Sequence, residues 1–514
     1  MAKVIIICDF HKKSGFGHLT RMKSLANSFK KNFHQVKFIF EKKHRKFNEK
    51  YLINFQRDYL NFNLNKNPNK LINYLKKNQI DIVIFDSYFI SRNLESRLYR
   101  NFFIVSIDDR LLKHKSHLIF NSRETISEKH LSLNGQIWKT GKKYLLIGNT
   151  ISKKEINSTI KKILIHAGGV SNYNYFTKFL FESLYCLKNK DLKISFLYKN
   201  REIKSKILKI INKVSLNKKK FLFIKNNQNF SKTLNKFDLI VGPSGITTYE
   251  AIASKVLPLS FSLFNDGRDD VYNWNLVGNV MHLNKSEIKN KKIIHEIWDF
   301  LFKNYSLINK NLFRKSKYIR NNSDNVYEEI IKFFKNPNKL SPNKLLINDH
   351  LKIKSAKFDH IRFFLNSRNK LSVRNMSSNP KHTITFPEHL NWWINSKIKK
   401  FVLFKQSLSP IAYHWIKSTK EFSKYPIIIS GWFPDYNDKN MMKSSYVILN
   451  HQKKYLKDKY KGSKWIININ KKNVFSLKLN LAIGFKRAGE NIKKIAQKVF
   501  NINLKDFEIF EMKI

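Results

Sequence analysis

The chain has 514 residues, with 98 Lys and Arg against 37 Asp and Glu and a formal net charge of +61. A hydrophobic fraction of 42% and an aromatic fraction of 14% exclude a disordered polycation, and the length predicts about three domains. Lysine is spread over nearly every segment and arginine is the minority, so the charge reads as a solvated basic surface and no specific nucleic-acid face is expected.

Loose attraction to anionic lipid or acidic substrates stays open. Cys8 and Cys186 cannot build a disulfide framework and are expected as small buried hydrophobes. No apolar run reaches the ~18 residues of a membrane span. The apolar segment from Ala2 to Phe10 leads into a Gly/His loop, which reads as a first strand and not a signal peptide, so a cytoplasmic protein is expected.

In chain order, strands are predicted at Lys3–Ile7, Val36–Phe40, Asp81–Phe85 and Phe103–Ile107, with helices at His18–Phe29 and Leu71–Lys77. The series pauses in a polar stretch, Ser122–Gly141, and restarts. Lys162–His166, Leu192–Leu197, Phe221–Ile224, Leu239–Val241 and Leu257–Phe261 read as strands, Tyr173–Leu187 as a helix, and helical pattern runs from Ile293 to Phe334. Two such α/β halves make a cleft, with ligands at the C-terminal ends of the strands. Pro337 and Pro342 mark a linker. Beyond it, Phe401–Lys405 and Ile411–Ile416 read as an antiparallel pair, Ile427–Gly431 and Trp465–Asn470 as strands, and Ser444–Tyr460 and Ser476–Ile483 as helices. The domains are therefore drawn at 1–148, 149–335 and 347–514, with 336–346 as the linker.

Two loops carry the chemistry. Ser14-Gly15-Phe16-Gly17-His18, with Arg21, lies between the first strand and first helix. Gly15 and Gly17 let a ligand approach the backbone, and His18 stands at a helix N-terminus as a candidate general base; a plain Gly-rich turn with a surface histidine is the alternative. Gly242-Pro243-Ser244-Gly245-Ile246-Thr247-Thr248-Tyr249-Glu250 follows the strand Leu239–Val241. Its amides and hydroxyls suit a phosphate, and Glu250 can accept from vicinal ribose hydroxyls or simply be a helix-start glutamate favoured by the dipole.

With Asp86-Ser87-Tyr88, Ser106-Ile107-Asp108-Asp109 and Gly168-Gly169 in the same order, the chain resembles over about residues 1–300 the nucleotide-sugar hydrolases of pseudaminic acid biosynthesis, the PseG type. These are relatives of MurG-like glycosyltransferases and SpsG proteins. The resemblance implies a GT-B fold of two Rossmann-like domains and hydrolysis of UDP-2,4-diacetamido-2,4,6-trideoxy-β-L-altropyranose to UDP and free sugar, with inversion and without metal or cofactor. It implies His18 as the catalytic histidine and Tyr88 beside the sugar. Gly15, Gly17, Arg21, Gly168, Gly169, Ser244, Gly245, Thr247 and Glu250 are implied as the UDP-sugar contacts. Where the family carries an Asn-Gln pair, this chain has Asn265-Asp266-Gly267-Arg268-Asp269-Asp270, so Arg268 is a candidate diphosphate contact. A MurG-type glycosyltransferase, or a basic protein binding nucleic acid or a membrane surface, would be the other readings.

Residues from about 350 onward resemble a GNAT acetyltransferase of the RimJ/RimL or PseH type, through Val373-Arg374-Asn375, Glu388-His389 with Trp392, Pro410-Ile411-Ala412, and Asn473 and Ser476 followed by Gly484-Phe485. The resemblance implies an α/β domain with acetyl-CoA as cofactor, acting on the UDP-4-amino sugar precursor. Two departures stand against it: Asp435–Asn440 lacks the glycines of a pyrophosphate loop, and Asn480 occupies the usual position of the general-acid tyrosine.

Overall fold

The computed structural model describes residues 1–10, 16–110, 112–123, 136–152, 155, 157–168, 173–198, 201–214, 221–225, 230–263, 274, 281–316, 319–336, 351–405, 410–419, 426–434 and 441–514. The chain divides into two units, Met1–Lys344 and Leu345–Ile514.

The run KVIIIC is buried at every position after Lys3, as a strand covered on both faces must be. It forms β1 (Lys3–Cys8), joined in chain order by β2 (Gln35–Glu41), β3 (Gln56–Leu60), β4 (Ile82–Asp86), β5 (Phe103–Ile107), β6 (Leu118–Asn121) and β7 (Ile137–Thr140). The sheet order is β3-β2-β1-β4-β5-β6-β7, with every pair parallel. The second sheet takes β8 (Lys162–His166), β9 (Lys193–Tyr198), β10 (Phe221–Lys225), β11 (Leu239–Pro243), β12 (Leu257–Phe261) and β13 (His282–Leu283) in the order β10-β9-β8-β11-β12-β13, again all parallel. Both are Rossmann-like doubly wound sheets, and together they form the GT-B fold. The order reverses at β1/β4 and at β8/β11, which is where such sheets open a crevice for ligands.

Every strand predicted in these halves is present within a residue or two. The ones not predicted are half-solvated or short: β3 reads QRDYL and lies at a sheet edge, and β7 lies within the polar stretch taken as a pause. Edge strands lack the apolar run that makes a central strand visible in sequence. The helical stretch 293–334 is two helices, Lys291–Ser316 and Ser323–Lys335. The second returns to the first half. Val326, Ile330 and Phe333 complete a core with Phe29, Val36 and Phe103, and Ser28 Oγ donates to Asp324 Oδ1 at 2.7 Å. The chain thus passes between the halves twice, and residues 149–335, drawn as one domain, end on a helix that packs against the other.

The second unit is a mixed α/β domain. Its sheet takes β14 (Leu351–Ser355), β15 (Lys399–Lys405), β16 (Pro410–Thr419), β17 (Ile427–Pro434), β18 (Lys464–Asn470), β19 (Lys486–Arg487) and β20 (Phe507–Lys513) in the order β14-β15-β16-β17-β18-β20-β19. All its pairs are antiparallel except β17 with β18. The predicted 401–405/411–416 pair is β15 with β16. Glu388, whose neighbour His389 is buried, closes a capping box with Thr385, which accounts for it structurally. Among the described residues no helix is long and apolar enough to cross a membrane.

Candidate active site

The C-terminal ends of β1, β4 and β5 and the start of the Gly17–Lys31 helix bring a charged cluster together. Asp86, the last residue of β4, is fully buried and accepts from three donors. His18 Nδ1 lies 2.7 Å from its Oδ1, Arg21 Nε donates to Oδ2 at 2.6 Å, and Arg21 Nη2 donates to Oδ1. Arg21 Nη1 reaches onward to Asp109 Oδ2 at 3.0 Å, and the Tyr88 hydroxyl donates to the same carboxylate at 2.7 Å. The Tyr88 ring stands edge-on to His18 with centroids 4.7 Å apart, and the Arg110 guanidinium lies 3.4 Å from the Tyr88 ring centroid. Asp9 fixes the turn from β4 by accepting from Tyr88 N at 2.7 Å and from Ser87 Oγ.

The electrostatics follow from burial opposed by pairing. Burial would raise the Asp86 carboxyl, but Arg21 and His18 hold it below its ordinary value; Asp109 is held well below for the same reason. Burial and the Asp109 charge push the Tyr88 phenol well up, so it stays a hydrogen-bond donor. His18 Nδ1 is committed to Asp86, and Nε2 has no hydrogen-bond partner among the described residues. An Asp-anchored imidazole with its second nitrogen free is a base already oriented. Arg21, predicted as a substrate contact, has its donors on Asp86 and Asp109 and serves here as their counter-ion.

Across the cleft, Ser244 and Gly245 open the helix Ile246–Ala253, whose first amides have no intrahelical acceptor. A Cβ on Gly245 would meet nothing, leaving the backbone open to a ligand, while one on Gly17 would touch Ile246, so the two predicted loops face each other. Gly17, His18, Arg21, Tyr88, Gly168, Ser244, Gly245, Thr247 and Glu250 all line one cavity of about 840 Å3. Gly15, Gly169 and Arg268 lie outside the described residues.

Glu250 is buried, and its Oε1 accepts from Gly148 N at 3.1 Å. Burial pushes this carboxyl up to about 7 against that hydrogen bond. Gly148 belongs to the first crossing between the halves; a Cβ there would sit 2.7 Å from Glu250 Oε1 and 3.2 Å from Thr20 Cγ2. Glu250 therefore holds the crossing segment at Gly148 as well as lining the cavity.

Behind Asp109, His114 is buried between Glu95 Oε1 at 2.7 Å and Asp108 Oδ1 at 3.8 Å, while Asp108 accepts from Arg110 N at 2.8 Å and Leu112 N at 3.1 Å. Asp108 and Asp109 thus point to different partners, and among the described residues no acidic or His/Cys group has metal-site geometry. Burial alone would lower His114, but the Asp108 and Glu95 carboxylates outweigh it and raise the imidazole to about 9. A histidine raised in the folded state contributes stability that is complete below its unfolded value near 6.5 and lost as pH rises through about 9. His114→Asn should therefore cost about 3 kcal/mol near pH 7. Urea unfolding should show the gap from wild type closing toward pH 10; a gap independent of pH would contradict the assignment.

In the second unit, Asn473 caps the helix Val474–Ile483 by accepting from Ser476 N at 3.1 Å, and the buried Asn480 donates to Ser476 O at 2.7 Å. The Asp435–Asn440 segment lies outside the described residues.

Sequence reasoning found the two loops and missed three partners: Asp9, Asp86 as the anchor of His18, and His166. His166 ends β8 and faces the cavity. A polar residue closing an apolar strand just before Gly168 was the available signal.

No protein-family model and no curated protein matches the chain. Among solved structures it is similar to Acinetobacter baumannii MurG (12% identity over 65% of this chain and 100% of that one, TM-score 0.48). It is also similar to a glycosyltransferase from Rickettsia africae (15%, 64% and 99%, TM-score 0.45) and to S. aureus MnaA in a co-structure with UDP (14%, 67% and 99%, TM-score 0.47).

Proposed function

We propose that the first unit hydrolyses a UDP-activated 2,4-diacetamido-2,4,6-trideoxy sugar to UDP and free sugar, the reaction implied by the resemblance to the pseudaminic acid hydrolases. The observation that carries this reading is His18, with Nδ1 on the buried Asp86 and Nε2 without a hydrogen-bond partner among the described residues, lining one cavity with a helix N-terminus. A water oxygen bonds to the anomeric carbon as the bond from that carbon to the UDP oxygen breaks. His18 Nε2 takes the water proton, and Asp86 stabilises the imidazolium that forms. The departing diphosphate keeps the bonding electrons, and its charge is met by the amides of Gly245, Ile246 and Thr247. Tyr88 and Arg21 line the sugar side, and Glu250 is the ribose contact.

A glycosyltransferase would use the same cavity with a hydroxyl acceptor in place of water. Incubation with the UDP-sugar alone separates the two: UDP released without any acceptor supports hydrolysis, and release only after an acceptor is added excludes it.

A second reading concerns the second unit. β17 and β18 share three parallel residue pairs, Ile427 with Lys464 to Ile429 with Ile466, and then part while β17 continues to Pro434 and β18 to Asn470. Two parallel strands that diverge leave facing backbone amides and carbonyls for an extended amide-bearing ligand. This supports acetyl-CoA binding by a GNAT-like module that acetylates the UDP-4-amino sugar, with Asn473 and Ser476 shaping the adjacent helix start. Titration with acetyl-CoA tests the reading.

A further inference from the structure

His166 is more than nine-tenths buried at the C-terminal end of β8, yet it lines the cavity, and neither ring nitrogen has a hydrogen-bond partner among the described residues. Its position is built. A Cβ on Gly242, in the neighbouring strand β11, would collide with Nε2, Cδ2 and Cε1 of the ring, so only glycine at 242 lets the imidazole lie there. Two residues further on, Ser244 begins the turn whose amides open the helix Ile246–Ala253. Pro243, between them, packs against Gly168. A buried imidazole without partners is costly to keep, and the cost is recovered when a ligand supplies the partner.

We propose that His166 contacts ligand in this cavity, donating a hydrogen bond to a phosphoryl oxygen of a nucleoside diphosphate seated on the Ser244–Thr247 turn. This rests on the nucleotide-sugar reading above and adds to it a side-chain donor beside the backbone amides. Burial lowers the imidazole to about 4, so it is neutral at pH 7 and carries one N–H donor in either tautomer. A neutral donor orients a diphosphate without adding to the charge that the helix N-terminus already provides.

The test is calorimetric titration with UDP, together with competition by uridine, for wild type, His166→Phe, His166→Gln and Gly242→Ala. The phenylalanine variant fills the space without the donor and should weaken UDP binding about ten-fold or more, with uridine unaffected. The glutamine variant, which keeps an N–H, should recover part of the loss. Gly242→Ala displaces the ring without removing it and should act in the same direction as phenylalanine. UDP affinity unchanged in His166→Phe, or UDP and uridine weakened alike, would overturn the proposal while the nucleotide reading stands. A wild-type chain that does not bind UDP would overturn both.

Discussion

His18→Ala should reduce UDP release from the UDP-sugar by about 100- to 10,000-fold, the range that a positioned general base contributes. The affinity for UDP should stay within about two-fold, because the amides of the Gly245–Thr247 turn and Glu250 are untouched. That split is the signature of a residue acting on the reacting water: kcat falls and binding persists. Equal losses in kcat and UDP affinity would make His18 a binding residue and would remove the base from the mechanism. Thermal unfolding should move little, since the loss of the imidazole leaves the buried Asp86 paired with Arg21.

Asp86→Asn should cost nearly as much activity, for a different reason, and should also cost stability. The amide can accept from Nδ1 through its oxygen only if the neutral side chain adopts one orientation, and it cannot stabilise an imidazolium. It also leaves the buried Arg21 with Asp109 as its one carboxylate partner among the described residues. Breaking a buried ion pair from one side costs about 3 kcal/mol or more, so the urea midpoint should fall together with kcat. Because Asp86 is held below its ordinary value, its stabilising contribution is present above about pH 4 and is lost as the pH falls further. The wild-type advantage over the asparagine variant should therefore shrink in acid. A variant with full activity and unchanged stability would mean that the His18–Asp86–Arg21 cluster is not the working part of the site.

Much of this site was legible in the sequence because its pieces sit at fixed places in a doubly wound sheet. Glycine, histidine and serine after a strand and before a helix have little reason to be there unless backbone and ligand come close, so Gly17, His18, Ser244 and Gly245 could be singled out from local pattern alone. Asp86 could be seen as a motif residue but not as the anchor of His18, since the pairing joins positions 68 residues apart and depends on β1 and β4 being neighbours. Arg21 lines the cavity as the resemblance implies, but local sequence carries no record of Asp86 and Asp109, the two carboxylates 65 and 88 residues away that take its donors.

The return of the helix Ser323–Lys335 to the first half was hidden for another reason. Its apolar positions identify a buried face, and a buried face does not name its partner; only Val326, Ile330 and Phe333 in contact with the first core do so. His166 was passed over because a single polar residue at a strand end is common, and its significance rests on Gly242 alongside it, 76 residues later in the chain. The large positive charge, the most conspicuous property of the composition, is spread over the whole chain, and Lys23, Lys30, Arg123 and Lys232 bring part of it to the lining of this cavity. The proposed anion site is made of backbone amides, hydroxyls and a neutral imidazole.

The central claim, that His18 directs water to an anomeric carbon, is tested most directly by turnover of the UDP-sugar in 18O-labelled water without acceptor. One unlabelled UDP is expected per turnover, with a free sugar carrying 18O at its anomeric hydroxyl in inverted configuration. Label in the phosphate of the nucleotide product, or no UDP release until an acceptor is supplied, would contradict it.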